Sequence, residues 1–193
     1  MASGIGICGP DRSPDTAARA RRGARIVTCP AAEYLARKPE RLVVEGYRNW
    51  LNGCAQGDAG AWDSAWNLYA TELGSSEGRI ALDGLAVFVN ALGRCASCPL
   101  RFFPSKACHL CRDECLVLSL VAALQHGDDD AGRMSAEGLA CSTRCVELTA
   151  AAGDYAMRLK MFGCTLLPIP PLVVADFLAG PAQRSAAGPQ TLH

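Results

Sequence analysis

Between residues 30 and 165, apolar side chains recur at intervals of three and four, and they almost never alternate. That spacing gathers apolar groups on one face of an α-helix and scatters them on a strand. The punctuation agrees. Thr28 can cap a short helix with Pro30 in its first turn. Pro39 to Gly53 reads as a second helix with Val43, Tyr47, Trp50 and Leu51 on one face. Asp58 can cap the next, whose stripe is Trp62, Ala65, Trp66, Tyr69 and Leu73, and Gly74 stops it. Ser75 or Ser76 caps a third long helix. Its segment from Ile80 to Leu92 is apolar almost all round, which predicts a central position.

A fourth long helix is expected from near Ser105 to His126. A fifth follows the acidic run Asp128, Asp129 and Asp130, since negative charge favours a helix N-terminus. Its seam is Met134, Gly138, Cys141, Cys145, Leu148 and Ala152. Gly153 is expected to break it, and Asp154 to cap a short helix through Phe162. Pro168 to Leu178 reads as a Pro-started helical turn. The expected fold is an all-α bundle of about five main helices, with a Cys-rich metal-binding interhelical loop and flexible termini.

The chain has 193 residues, which suits one domain. Residues 1–27, with Arg12, Arg19, Arg21, Arg22 and Arg25, read as a flexible basic arm. Residues 28–179 form the helical domain and 180–193 a disordered tail. Nineteen basic and 19 acidic side chains give a formal charge of zero. A whole-domain basic footprint is therefore absent, and nucleic-acid contact is expected at most through the N-terminal arm. No run reaches the ~18 apolar residues of a membrane span. A soluble intracellular protein is expected, in a compartment where thiols stay reduced.

Eleven cysteines carry the most specific chemistry. Cys95 and Cys98 form one C-x-x-C pair, and Cys108 and Cys111 form another. The loop between them has Pro99 and Pro104 near its ends and can reverse the chain. Four thiolates so spaced can hold one tetrahedral zinc. An iron–sulfur cluster would use the same ligand type. Cys115 and the pair Cys141 and Cys145 lie at helical spacing and are candidates for a soft ion such as copper(I), for reversible redox chemistry, or for plain core packing. In architecture alone this resembles the cysteine-lined four-helix copper storage proteins, although with far fewer C-x-x-x-C pairs. His109 reads as a solvated or outer-sphere residue and His126 as a helix-end imidazole that suits the dipole.

Catalysis is not expected, because three histidines supply few bases and the paired carboxylates Asp113–Glu114 and Asp128–Asp130 are explained by capping and solvation. Arg101, Phe102 and Phe103 form the expected partner-binding segment. Two adjacent aromatics on a constrained loop cannot easily both point inward, and aromatics and Arg are enriched at binding hot spots. The leading expectation is a zinc-stabilised helical interaction or adaptor module that binds a protein partner or a second copy. The alternatives are a copper-binding or delivery protein and a cysteine-based redox sensor.

Overall fold

Glycine and aspartate set the helix boundaries much as the punctuation predicts. The structure, a computed structural model, describes residues 30–96 and 99–184. Eight α-helices lie among the described residues: α1 Pro30–Ala36, α2 Lys38–Gln56, α3 Ala59–Leu73, α4 Ser75–Cys95, α5 Arg112–His126, α6 Asp129–Leu139, α7 Cys145–Met161 and α8 Pro171–Arg184. The described part is all-α, as expected, but has more helices than the expected five. The Asp58 carboxylate accepts from the Gly60 amide at 2.9 Å to open α3. The Asp128 carboxylate accepts from the Ala131 amide at 3.0 Å to open α6. Between α5 and α6, Gly127 adopts a left-handed φ of 72°, which ends one helix and turns the chain into the next. Thr28 and the basic arm lie outside the described residues.

The main packing runs α2 on α3, α3 on α4, α4 on α7, and α5 on both α6 and α7. Leu42, Tyr47, Tyr69, Leu85, Phe88, Leu92, Leu116, Leu120, Leu148 and Tyr155 are fully buried between them. Burying such side chains stabilises the fold by roughly 1.5–3 kcal/mol each relative to exposure. Tyr69 and Tyr155 satisfy one another: their hydroxyls are 2.5 Å apart, and Tyr69 also donates to the Leu42 carbonyl at 3.1 Å. Space for this pair is made by Gly46. A Cβ there would lie 2.7 Å from the Tyr69 hydroxyl and 2.9 Å from Leu85 Cδ2. Gly46→Ala is therefore expected to lower stability by ~1–3 kcal/mol, as core overpacking does, and urea unfolding will measure it.

Five expectations are corrected. First, α4 is not apolar to its neighbours all round: Ile80 and Val87 are 42% and 54% exposed. The neighbouring helices cover the rest of its surface and leave that side to solvent. Second, α2 runs past Gly53 to Gln56, because nothing at position 53 requires a left-handed turn, whereas Gly57 does adopt one with φ 66°. Third, the fourth long helix starts at Arg112 rather than near Ser105. Fourth, the fifth helix is split. Ala140 and Cys141 are extended, Ala140 forms an antiparallel bridge with Ala96, and the Cys141 amide donates to the Cys95 carbonyl at 3.2 Å. This clip between the ends of α4 and α6 overrides a local pattern that would have continued the helix. Fifth, α7 passes through Gly153, and Asp154 pairs with Arg158 at 2.8 Å instead of capping a new helix.

At the C-terminal side, α8 starts at Pro171 and continues to Arg184, four residues past Gly180. The connection before it is held by α5. The Gln125 amide donates to the Ala156 and Cys164 carbonyls and its oxygen accepts from the Leu166 amide. His126 Nε2 lies 2.8 Å from the Leu166 carbonyl, so the helix-end imidazole has a specific partner. No helix among the described residues is long and apolar enough to cross a membrane.

Candidate interaction loop

Residues 99–111, the described part of the segment joining α4 to α5, have no regular secondary structure, yet their backbone is bound at one residue after another by side chains. Arg48 of α2 and Glu114 of α5 are both fully buried and form an ion pair, with Arg48 Nε 2.7 Å from Glu114 Oε1 and Nη2 3.2 Å from Oε2. The remaining donors of Arg48 reach the Ala107 carbonyl at 2.8 Å, the His109 carbonyl at 2.6 Å and Glu45 at 2.8 Å. Glu114 in turn accepts from the Phe103 amide at 2.9 Å and the Cys111 amide at 2.8 Å. Asp113 accepts from the Arg101 amide at 2.8 Å. Glu45 accepts from Ser105 Oγ at 2.6 Å and from the Lys106 amide at 2.9 Å.

Two charges leave water only when their hydrogen-bonding capacity is met, and here the loop supplies the missing partners. Burial works against the charge on Arg48, but the hydrogen bonds and charges of Glu114 and Glu45 outweigh it and raise its pKa. This network explains the late start of α5. Lys106 takes a φ of 67°, and the carbonyls of Ala107 and His109 point at Arg48 instead of along a helix axis. The helix begins only where Glu114 can reach back to the Cys111 amide, a reciprocal N-terminal cap.

The predicted partner segment divides as adjacent aromatics must. Phe102 is half-buried against the core and faces Leu51, Pro99 and Leu100. Phe103 is 37% exposed, and its ring is 6.4 Å from that of His109. Arg101 is exposed, while its carbonyl accepts from the Cys111 thiol at 3.2 Å.

The cysteines fall into separate settings. Cys95 is buried at the end of α4 beside Glu147; burial first, then that carboxylate, raise its thiol pKa. Cys98 lies outside the described residues. Cys108 is exposed, and Cys111 is half-buried with its pKa pushed up to about 11, mainly by burial. Cys115, one turn further on, faces an apolar cavity of about 490 Å³ with Tyr34, Leu118, Val173 and Phe177. Burial pushes its thiol up to about 12. Cys141 is exposed, and its pKa is lowered by the Thr143 hydroxyl and the charge of Arg144. Cys145 is half-buried and its thiol lies 3.5 Å from the Cys141 carbonyl. Among the described residues no group of three or more His, Cys, Asp or Glu side chains is placed to hold a metal ion.

Sequence reasoning missed Glu45 and Arg48, and it read Asp113 and Glu114 as exposed capping groups. One signal was available. Arg48 lies four residues after Val44 and three before Leu51, which puts a charge on the apolar side of α2 and demands a buried partner. No family model, curated protein or solved structure matches this chain.

Proposed function

We infer that this chain is a non-catalytic helical protein whose α4–α5 loop presents Arg101 and Phe103 to a protein partner or a second copy. The observation that carries the reading is the network just described: buried carboxylates and Arg48 fix the loop backbone while Arg101 and Phe103 stay exposed. A loop ordered in advance loses less conformational freedom on association, and each flexible side chain that need not be immobilised avoids a cost of ~0.5–1.5 kcal/mol. The C-x-x-C spacing supports zinc as a resident ion of Cys95, Cys98, Cys108 and Cys111, with copper or an iron–sulfur cluster as other ions for thiolates. The metal content of freshly purified, reduced protein tests that part separately.

Phe102 and Phe103 test the interaction reading. Phe103→Ser is expected to abolish self-association or partner capture while the melting temperature holds. Phe102→Ser is expected to destabilise the fold, by an amount below the ~3–5 kcal/mol of a fully buried Phe truncation, because its ring is only half covered. Sedimentation velocity, cross-linking and thermal melts of both variants supply the measurement. Equal destabilisation by both, with no separable loss of binding, would sink the reading.

A second reading, thiol-based redox sensing, is favoured by Cys141. Its thiol combines exposure with a lowered pKa, the two properties that sensor cysteines share. Peroxide treatment followed by mapping of oxidised cysteines tests it; oxidation spread evenly over the exposed thiols would remove its support.

A further inference from the structure

Residues 105–108 of the same loop line a cleft together with Glu45. Arg41, Glu45 and Asn49 recur every four residues on α2 and so share a face. They line an open cleft of about 590 Å³, walled also by Leu35 of α1, Leu68 of α3 and Lys106 of the loop. Several polar groups there are already engaged. Arg41 donates to the Ala36 carbonyl and to Glu72. Glu45 accepts from Ser105, the Lys106 amide and Arg48.

Asn49 is different. It is only 8% exposed, it lines the cleft, and its side-chain amide has no hydrogen-bond partner among the described residues. Its polar atoms are not fully enclosed, so water can reach them in the free protein, and a ligand amide would take the place of that water. Asn offers one acceptor and an NH₂ donor side by side, which complement another amide. Lys106 adds an exposed ammonium that forms no ion pair among the described residues. Leu35 and Leu68 supply apolar wall, and the volume lies in the range of small-ligand sites.

We propose that the cleft between α1, α2, α3 and the loop binds a ligand that joins an amide to a carboxylate, with Asn49 pairing the amide and Lys106 the carboxylate. Both a free N-acylated amino acid and the C-terminal residue of a peptide carry this chemistry. The site is separate from the Arg101–Phe103 surface and does not rest on it.

The test is an NMR titration of the full chain that follows the Asn49 side-chain NH₂ signals, assigned by their loss in Asn49→Ala. The probes are N-acetylglycine and acetyl-triglycine with a free C-terminus. N-acetylglycinamide lacks the carboxylate and propionate lacks the amide. The two probes should give saturable shifts, N-acetylglycinamide roughly twofold to fivefold weaker ones, and propionate none at the Asn49 NH₂. Lys106→Asn removes the charge yet tolerates the left-handed backbone, so it should fold even if Asn49→Ala does not. It should weaken binding roughly twofold to fivefold, as one exposed ion pair would. Phe103→Ser should leave the titration unchanged, which separates this site from the interaction surface. Tighter binding of the peptide identifies a C-terminal segment as the source, and equal or tighter binding of N-acetylglycine identifies the free acid. No saturable shift with either probe, equal affinity for a probe and either control, or affinity indifferent to Lys106→Asn would overturn the proposal.

Discussion

Glu114→Gln is expected to destabilise the protein by ~1.5–3 kcal/mol, the worth of a hydrogen bond to a charged group, because it removes the fully buried one of the two carboxylates that pair with Arg48 and leaves only Glu45. The side chains of Arg48 and Glu114 are both wholly buried, so water cannot compensate for the loss. The effect should also be local. Gln keeps one acceptor oxygen where Glu114 has two, so one of the Phe103 and Cys111 amides loses its acceptor. Chemical unfolding measures the first effect and amide hydrogen exchange the second. A change of under about 1 kcal/mol, the usual worth of an exposed pair, would show that the pair is hydrated in solution.

The second large effect concerns thiol reactivity. The Cys115 thiol ionises near pH 12 because it is buried, whereas that of Cys141 ionises below its ordinary value of 9.0. At pH 8 a thiol that ionises near 12 is thiolate in roughly one molecule in ten thousand, and Cys141 holds a much larger thiolate fraction. The less basic thiolate is intrinsically less nucleophilic, which returns only part of that difference. Iodoacetamide should therefore modify Cys141 faster than Cys115, and burial slows Cys115 further. A time course at pH 8 read by peptide mass spectrometry gives both rates. Because its thiol remains protonated, Cys115 should gain rate about tenfold per pH unit up to pH 11, while Cys141 levels off at lower pH. Similar rates for the two at pH 8 would contradict the placement of Cys115 in the wall of the apolar cavity.

Much of the fold is legible in local sequence, because caps and apolar faces are local physics. Asp58 and Asp128 cap the helices that they precede, and Gly74 and Gly127 end helices where the pattern stops. Two of the boundaries that the sequence misplaces are set by distant contacts. The loop before α5 is shaped by Glu45 and Arg48, and Arg48 is 66 positions away from its partner Glu114. Nothing within a helical window at Ser105 reveals that its hydroxyl bonds to Glu45. Likewise, the seam through Cys141 and Cys145 satisfies helical spacing, but the hydrogen bond from Cys141 to Cys95 draws the chain out of the helix. In the candidate site, the exposure of Arg101 and one aromatic followed from two prolines and two adjacent rings. The buried charges that position them did not, since a charged residue reads as exposed until its partner is found.

The account rests on a loop ordered by Arg48, Glu45, Asp113 and Glu114, and amide hydrogen exchange of the full, chelator-treated chain tests this most directly. Chelation ensures that any protection comes from the protein's own groups. The account predicts that the Arg101, Phe103, Lys106 and Cys111 amides are protected, and that Glu114→Gln, which keeps one acceptor oxygen, selectively releases one of Phe103 and Cys111. Exchange of all four at the rate of an unstructured chain, with the helices still protected, would contradict it.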